Sequence, residues 1–265
     1  MTPCAEEQEY LHRIQHSLEM ASGIVDQIIQ RETARHRREM AREAELRIAD
    51  ALRDTLQRNG EGWLCEEHAD DRARLACDVV WIVDPVDGTI ELINGLPEWS
   101  ISVGLVIARR AVAGGVYNPG TQELFVGSLN LGVKYNGQPA SAAERKNLDG
   151  AEVLVSRQEF ARGEWDCYKD ARFAVRPLGS VAYRLALVSA GLTDATWTLS
   201  PRHEWDVAGG VALVNSAVGR VSLPAGAAPQ FNRETPMLPG LIASGASLWS
   251  DVDRLLQAAK VGPRE

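Results

Sequence analysis

Two aspartates follow an apolar run in the segment WIVDPVDGT, residues 81–89, and their spacing could serve phosphate chemistry. Pro85 has no N–H to donate to a strand ladder and is expected to end a buried strand. Gly88 allows a tight turn that brings the backbone close to a ligand. Taken alone, the segment favours an ordinary polar turn, because Asp, Pro and Gly are common turn residues. The segment also offers oxygen ligands of the kind that Mg²⁺ takes when it is shared with a substrate phosphate. They are the carboxylates of Asp84 and Asp87, the carbonyl of Val86 and the hydroxyl of Thr89.

Further acidic residues stand at comparable points of the chain. Glu66 and Glu67 follow the short apolar run at residues 63–65. If that run and the strand carrying Asp84 are neighbours, Glu66 falls at the same sheet edge as the two aspartates. Asp206, in HEWDVAGG at residues 203–210, stands at the start of a predicted helix, where capping that helix is its simplest role.

The composition is that of an ordinary globular protein: of 265 residues, 45% are hydrophobic and 24% charged. The net charge of −8 gives no basic footprint for polymeric nucleic acid. No apolar stretch approaches the roughly 20 residues that span a bilayer, so neither a membrane partner nor a signal sequence is expected. A cytoplasmic location is predicted. The four cysteines form no C-x-x-C pair, and Cys65, next to Glu66, is expected to be a buried thiol.

The N-terminal part of the chain predicts two long amphipathic helices at residues 6–30 and 32–56, because apolar side chains recur there at helical spacing. Residues 99–138 then predict an antiparallel meander, with Asn136-Gly137 as a tight hairpin signal.

The second part of the chain alternates strand and helix patterns, so the overall class is α/β. The polar, aperiodic stretch at 141–150 marks a boundary between an N-terminal half at 1–148, with an antiparallel sheet and the first acidic motif, and a C-terminal α/β half at 149–265. In that second half, strands are predicted at 152–156, 173–178, 194–199, 220–223 and 241–244, and helices at 180–190, 204–218 and 247–260.

The acidic motifs occur in an ordered set. Over about residues 63–244 the chain resembles the inositol monophosphatase family of Mg²⁺-dependent, lithium-sensitive phosphatases. The resemblance implies the layered αβαβα sugar-phosphatase fold, a homodimer, and hydrolysis of a small phosphate ester (inositol, sugar, polyol or nucleotide phosphate) by metal-activated water. It rests on Glu66-Glu67, DPVDGT at 84–89, LGSVA at 178–182 and WDVAG at 205–209.

By that resemblance, Glu66, Asp84 and the Val86 carbonyl would ligate one Mg²⁺, and Asp84 would bridge to a second held by Asp87 and Asp206. Elementary electrostatics favours the same assignment. At about 4 Å, each like-charged pair costs about 4 kcal/mol at an effective dielectric constant of about 20. Such a pocket would repel a phosphate ester unless divalent cations offset its charge and activate the attacking water.

The resemblance further implies Glu66, Asp84 and Thr89 as the catalytic set, with Thr89 orienting the water. A Ser, Cys or His nucleophile is not required. The residues expected to contact the phosphate or the rest of the substrate are Asp87, Gly88, Thr89, Gly179 and Ser180.

Two departures from the family pattern leave alternatives open. Residues 38–45 lack the aspartate that commonly serves a third, weaker Mg²⁺, and Glu43 is the candidate replacement, so two or three Mg²⁺ are expected. Glu91 resembles the bisphosphate-nucleotidase branch, although that branch's usual lysine is missing. The alternatives are therefore a nucleotide 3′-phosphatase or a non-catalytic metal- or phosphate-binding homologue.

Three basic side chains near these motifs also have competing interpretations. Arg184 and Arg202 could contact a second anionic group on the substrate. His203, near Asp206, favours a surface or capping role over catalysis.

Overall fold

The computed structural model describes residues 3–29 and 37–261. The two predicted long helices are confirmed as α1 (Pro3–Ile29) and α2 (Arg37–Leu56), while predicted helical positions 30 and 32–36 lie outside the described residues. The two helices pack against each other and against one face of the first sheet. Their buried contacts recur at helical spacing, as the pattern predicted; they include Ile14, Leu18, Ile48, Leu52 and Leu56.

Seven strands form the first sheet in simple chain order. The first two strands are parallel, with Cys65 opposite Val83, and every later pair is antiparallel, which confirms the meander. Asn136 and Gly137 join the last two strands, as predicted. The strands are β1 (Gly62–Cys65), β2 (Val79–Asp87), β3 (Ser100–Ile107), β4 (Arg110–Asn118), β5 (Glu123–Ser128), β6 (Gly132–Tyr135) and β7 (Gln138–Ala140).

The prediction that Pro85 ends the central strand is wrong. β2 continues to Asp87, and its pairing with β3 shifts register so that Asp84 lies opposite Ser102 and Asp87 opposite Ser100. Three steps along β2 therefore match two along β3, which is the geometry of a β-bulge at the position where proline offers no N–H. Residues three apart in a regular strand face opposite sides. The extra residue turns both aspartates to the same side.

Five strands form the second sheet, with mixed parallel and antiparallel pairs. The predicted strands all occur, with small differences at their ends. A separate two-stranded ribbon was not predicted, because each of its strands has only two residues. In the order β12-β14-β10-β8-β9, the sheet contains β8 (Glu152–Ser156), β9 (Ala174–Leu178), β10 (Ala195–Thr198), β12 (Gly219–Ser222) and β14 (Leu241–Gly245); the ribbon pairs β11 (Arg202–His203) with β13 (Met237–Leu238).

Helices complete five layers in the order αβαβα, which confirms the predicted fold class. α5 (Val181–Ser189) and α6 (Glu204–Ser216) pack together between the two sheets, and every residue of α5 is buried, as expected for a helix enclosed on all sides. α7 (Trp249–Val261) covers the outer face of the second sheet. Two short helices, α3 (Thr89–Ile93) and α4 (Arg157–Ala161), were not predicted. Along residues 3–29 and 37–261, no helix is long and apolar enough to cross a membrane.

Candidate functional site

A cleft of about 380 Å³ lies where the carboxyl ends of β1 and β2 meet the first turns of α5 and α6. Parallel pairing of β1 with β2 places Glu66, just after β1, beside the Asp84 end of β2. The structure brings together all of the predicted site residues around this cleft. They are Glu66, Asp84, Val86, Asp87, Gly88, Thr89, Gly179, Ser180 and Asp206.

Asp84 is the most deeply buried carboxylate of the group, with 2% of its surface exposed. One of its oxygens accepts a hydrogen bond from the Val86 N–H at 2.9 Å. Burial raises its pKa well above the usual value, and the negative charges of Asp87, Glu66 and Asp206 raise it further.

Asp87 is bound to the start of α5. Its Oδ2 accepts hydrogen bonds from the Ser180 hydroxyl and from the Ala182 N–H, both at 2.6 Å. Ser180 in turn caps the helix, because its oxygen accepts from the Tyr183 N–H at 3.0 Å. Burial still raises the pKa of Asp87. Ser180 therefore fixes one oxygen of Asp87, while the other oxygen makes no described hydrogen bond.

Asp206 lies in the first turn of α6, although not at its cap. His203 is the capping residue, and its N–H donates to Asp206 Oδ2 at 3.1 Å. The aspartate is therefore the third residue of the helix. Burial, followed by the charges of Asp87 and Glu66, raises the pKa of Asp206 to about 8. Burial and neighbouring acids, including Glu67 and Asp87, raise the pKa of Glu66 to about 7.

The raised pKa values of these carboxylates have a common cause: all of them cannot be ionised at once without strong repulsion unless a cation compensates their charge. An all-oxygen donor set of this charge suits Mg²⁺. In the described part of the chain, no three acidic, histidine or cysteine side chains already form a group able to hold a metal ion.

Glu45, rather than the predicted Glu43, is the α2 acid that reaches the site. Thr89 Oγ1 donates to Glu45 Oε1 at 2.9 Å and lies 3.2 Å from the Val86 carbonyl oxygen. Glu43 instead pairs with Arg47 on the exposed side of α2. The helical register explains the correction, since two residues along a helix turn a side chain by about 200°. Both positions hold glutamate, so the sequence could not show which of the two side chains faces the site until the buried face of α2 was known.

Arg42 connects this edge of the site to the Glu66-Glu67 turn. Its guanidinium forms ion pairs with Glu67 and, at 3.4 Å, with Glu45. Glu67 therefore anchors α2 and is not among the residues that line the cleft.

Other side chains of interest are also located by the structure. Glu91 is buried at the cleft wall and accepts from Gln158 Nε2 at 3.2 Å. Arg184 and Arg202 line the same cleft. His203 stacks on Trp205, with ring centroids 4.3 Å apart, and is not among the lining residues. Cys65 is buried, as predicted, and burial raises the pKa of its thiol to about 12, which makes it a poor nucleophile.

Gly179 lies against the wall of the cleft, where a side chain does not fit. A Cβ at this position would lie 2.5 Å from the Glu98 carbonyl oxygen and 2.5 Å from Glu91 Cγ. The Gly179→Ala variant is therefore expected to lose about 1–3 kcal/mol of unfolding free energy, measured by urea denaturation. Gly23→Ala on α1 is the control, because nothing lies within 4 Å of its added Cβ. Equal stability of the two variants would contradict the close approach at Gly179.

Comparison with known proteins agrees with this fold. Residues 9–260 match the model of the inositol monophosphatase family. The chain belongs to this family.

Individual relatives give the extent of the likeness. Inositol monophosphatase 1 of Solanum lycopersicum is 34% identical over 160 residues, covering 57% of this chain and 59% of that protein, so the chain spans about three-fifths of that relative's length. The fructose-1,6-bisphosphatase/inositol-1-monophosphatase of Thermotoga maritima is 31% identical over 187 residues, 69% of this chain and 70% of that protein. The crystal structure of CysQ from Bacteroides thetaiotaomicron shares the fold, with a TM-score of 0.78 and 23% identity over 90% of this chain and 97% of that one.

Proposed function

We propose that this protein is a Mg²⁺-dependent phosphomonoesterase that hydrolyses a small phosphorylated metabolite, such as an inositol, sugar, polyol or nucleotide phosphate. The observation that carries the proposal is the convergence of Glu66, Asp84, Asp87 and Asp206, from three separate parts of the chain, on one cleft where each has a raised pKa. Perturbed carboxylates gathered in a cleft are typical of a catalytic site.

In this proposal Glu66, Asp84 and the Val86 carbonyl would hold one Mg²⁺, and Asp84, Asp87 and Asp206 a second. When bound, the cations would supply Lewis-acid activation of water and of the phosphoryl group. A third Mg²⁺ remains part of the proposal only if Glu45 supplies a ligand.

The chain's own groups would orient the reactants. Because the Thr89 hydroxyl donates its hydrogen bond to Glu45, the lone pairs of Thr89 Oγ1 are free to accept a hydrogen bond from the attacking water and so orient it. The N–H groups of Gly88 and Thr89 would donate to the phosphate oxygens. Ser180 and Gly179 would contact the substrate beside Asp87.

A phosphate-release screen over many metabolite phosphates tests the proposal. It is run with Mg²⁺ and again after chelation, on a panel that includes inositol phosphate, histidinol phosphate, adenosine bisphosphate and a nucleoside monophosphate. Release that depends on Mg²⁺ supports a hydrolase. Mg²⁺ binding by calorimetry without release from any compound favours the non-catalytic homologue.

A nucleotide 3′-phosphatase is the second candidate, and one observation favours it: Glu91, the residue that resembles the bisphosphate-nucleotidase branch, lines the cleft. A preference for adenosine bisphosphate over inositol phosphate in the same panel would select this candidate. A homodimer and a cytoplasmic location, both implied at the level of sequence, remain proposals.

Glu45 provides a direct test of the water-orienting group. The Glu45→Gln variant is expected to lower kcat about 10- to 100-fold, because an amide is a weaker acceptor for the Thr89 proton than a carboxylate. Glu43→Gln, on the exposed side of the same helix, should leave kcat unchanged. The assignment fails if both variants, assayed for phosphate release at saturating Mg²⁺, have the same kcat.

A further inference from the structure

The cleft is lined by positive as well as negative charge. Besides the carboxylates, its lining includes Arg162, Arg184 and Arg202, together with the polar side chains of Gln158 and Ser200. Cations bound among the carboxylates would account for the acidic side of the cleft. Of the three arginines, Arg162 pairs with Glu164 and Arg202 with Glu159, whereas Arg184 has no ion pair among the described residues.

Arg184 is the central member of this set because it is buried, with 1% of its surface exposed. Its guanidinium donates to Thr196 Oγ1 at 3.2 Å, its Nε has no partner, and no described carboxylate forms an ion pair with it. Burial and the nearby charge of Arg202 lower its pKa to about 10, so it stays protonated near neutral pH. A buried charge without a counter-ion is costly and is normally paired.

The carboxylates near enough to influence Arg184 already have other partners. Asp87 accepts from Ser180 and Ala182 and faces the proposed cations. Glu159 binds Arg202 at 2.7 Å and also the Thr198 hydroxyl. Glu91 accepts from Gln158 at 3.2 Å and lies 3.9 Å from Arg157 Nε. None of these three acids forms an ion pair with Arg184.

Arg202 supplies a second guanidinium beside the first. It comes from β11, the short ribbon strand, and one of its nitrogens is held by Glu159 and Thr198 while its Nε is buried without a partner. Two like charges held near each other repel, and an anion contacting both would stabilise both.

We propose that Arg184 and Arg202 form a second anion subsite, so that the substrate carries a phosphate or similar anionic group in addition to the phosphate ester that is hydrolysed. This inference rests on the proposed function and narrows it to bis-anionic metabolites. The cleft volume of about 380 Å³ lies within the range of small-ligand pockets and leaves room for a group outside the acidic side.

The first experiment compares two substrates that differ only in the second phosphate: adenosine 3′,5′-bisphosphate and adenosine 3′-monophosphate. For the wild-type protein with Mg²⁺, kcat/KM for the bisphosphate should be about 10- to 100-fold higher, mainly through KM, as expected for hydrogen bonds to a charged group. Arg184→Gln should lower kcat/KM much more for the bisphosphate than for the monophosphate and so bring the ratio close to one. Arg184→Lys should restore part of the ratio. Arg172→Gln, which removes an exposed charge on the surface, should leave the ratio unchanged.

Arg202→Gln is the second variant, in case removal of the buried Arg184 prevents folding, and it should lower the ratio in the same way. The proposal is overturned if wild-type protein hydrolyses the two nucleotides equally well. It is also overturned if the variants lose activity on both nucleotides by the same factor, since that would indicate a structural role.

The second experiment separates this inference from the proposed function because it needs no turnover. Inorganic phosphate is titrated calorimetrically into the protein in the presence of EDTA, where the carboxylates repel anions. Binding that weakens at least about 10-fold in Arg184→Gln and is unchanged in Arg172→Gln supports the subsite even if no nucleotide is hydrolysed. The anion subsite is excluded if wild-type protein does not bind phosphate, or if wild type and Arg184→Gln bind it equally well. Either result holds whether or not the protein hydrolyses a nucleotide.

Discussion

The Asp84→Asn variant is expected to lower kcat by at least about 10³-fold while retaining the fold. Asp84 is the one carboxylate proposed to contact both cations, and an amide oxygen cannot offset their charge. The loss corresponds to the several kcal/mol of charge stabilisation that cations supply to phosphoryl transfer. Phosphate release at saturating Mg²⁺ measures the effect.

The fold should survive this change for a local reason. Asparagine has the same shape, and its carbonyl oxygen can still accept the Val86 N–H. Removing one of several buried like charges also relieves repulsion in the metal-free protein. Thermal unfolding in EDTA should therefore show a midpoint no lower than that of wild type. Asp78→Asn, exposed just before β2, is the control and should keep full activity. Wild-type turnover by the Asp84→Asn variant would refute the assignment of the site.

The second large effect concerns pH and Mg²⁺. In the folded, metal-free protein the pKa of Glu66 is raised from 4.5 to about 7 and that of Asp206 from 3.8 to about 8. At pH values between the unfolded and the folded pKa of each group, the folded state binds more protons than the unfolded state. These two carboxylates therefore reduce the stability of the fold as pH rises from about 4 to 8. Their destabilising effect is absent below the unfolded pKa values and complete above the folded ones.

Mg²⁺ should reverse this trend, because it binds the deprotonated carboxylates. We expect saturating Mg²⁺ to raise the unfolding midpoint by at least about 5 °C at pH 8 and by much less at pH 5. Scanning calorimetry at both pH values, with Mg²⁺ and with EDTA, measures the shift.

Asp206→Asn should flatten the pH dependence in EDTA and remove most of the Mg²⁺ effect at pH 8. Glu39→Gln, which alters an exposed acid on α2, should resemble wild type. A midpoint that responds to Mg²⁺ equally at both pH values, or equally in Asp206→Asn, would show that these carboxylates do not bind the cation.

Local patterns in the sequence were sufficient to predict the longer elements, and the ordered set of motifs was sufficient to name most residues of the candidate site. Helical and alternating periodicity reflects which face of an element is buried, and this determined the long helices, the meander and the alternating second half. The residues of the acidic motifs could be named because their types and order are specific. Short elements such as α3 and β11 were missed, since two to five residues carry too little periodicity to be recognised.

Three features of the site depended on the tertiary structure. The bulge at Pro85, rather than a strand end, turns Asp84 and Asp87 to one side, and it exists because β3 pairs on both sides of the interruption. Glu45 instead of Glu43 meets Thr89 because packing on the sheet selects one face of α2. The burial of Arg184 without a counter-ion depends on α5 being enclosed between two sheets. Residue types and spacing establish which chemistry is available, whereas burial and pairing between distant segments depend on contacts that no local pattern encodes.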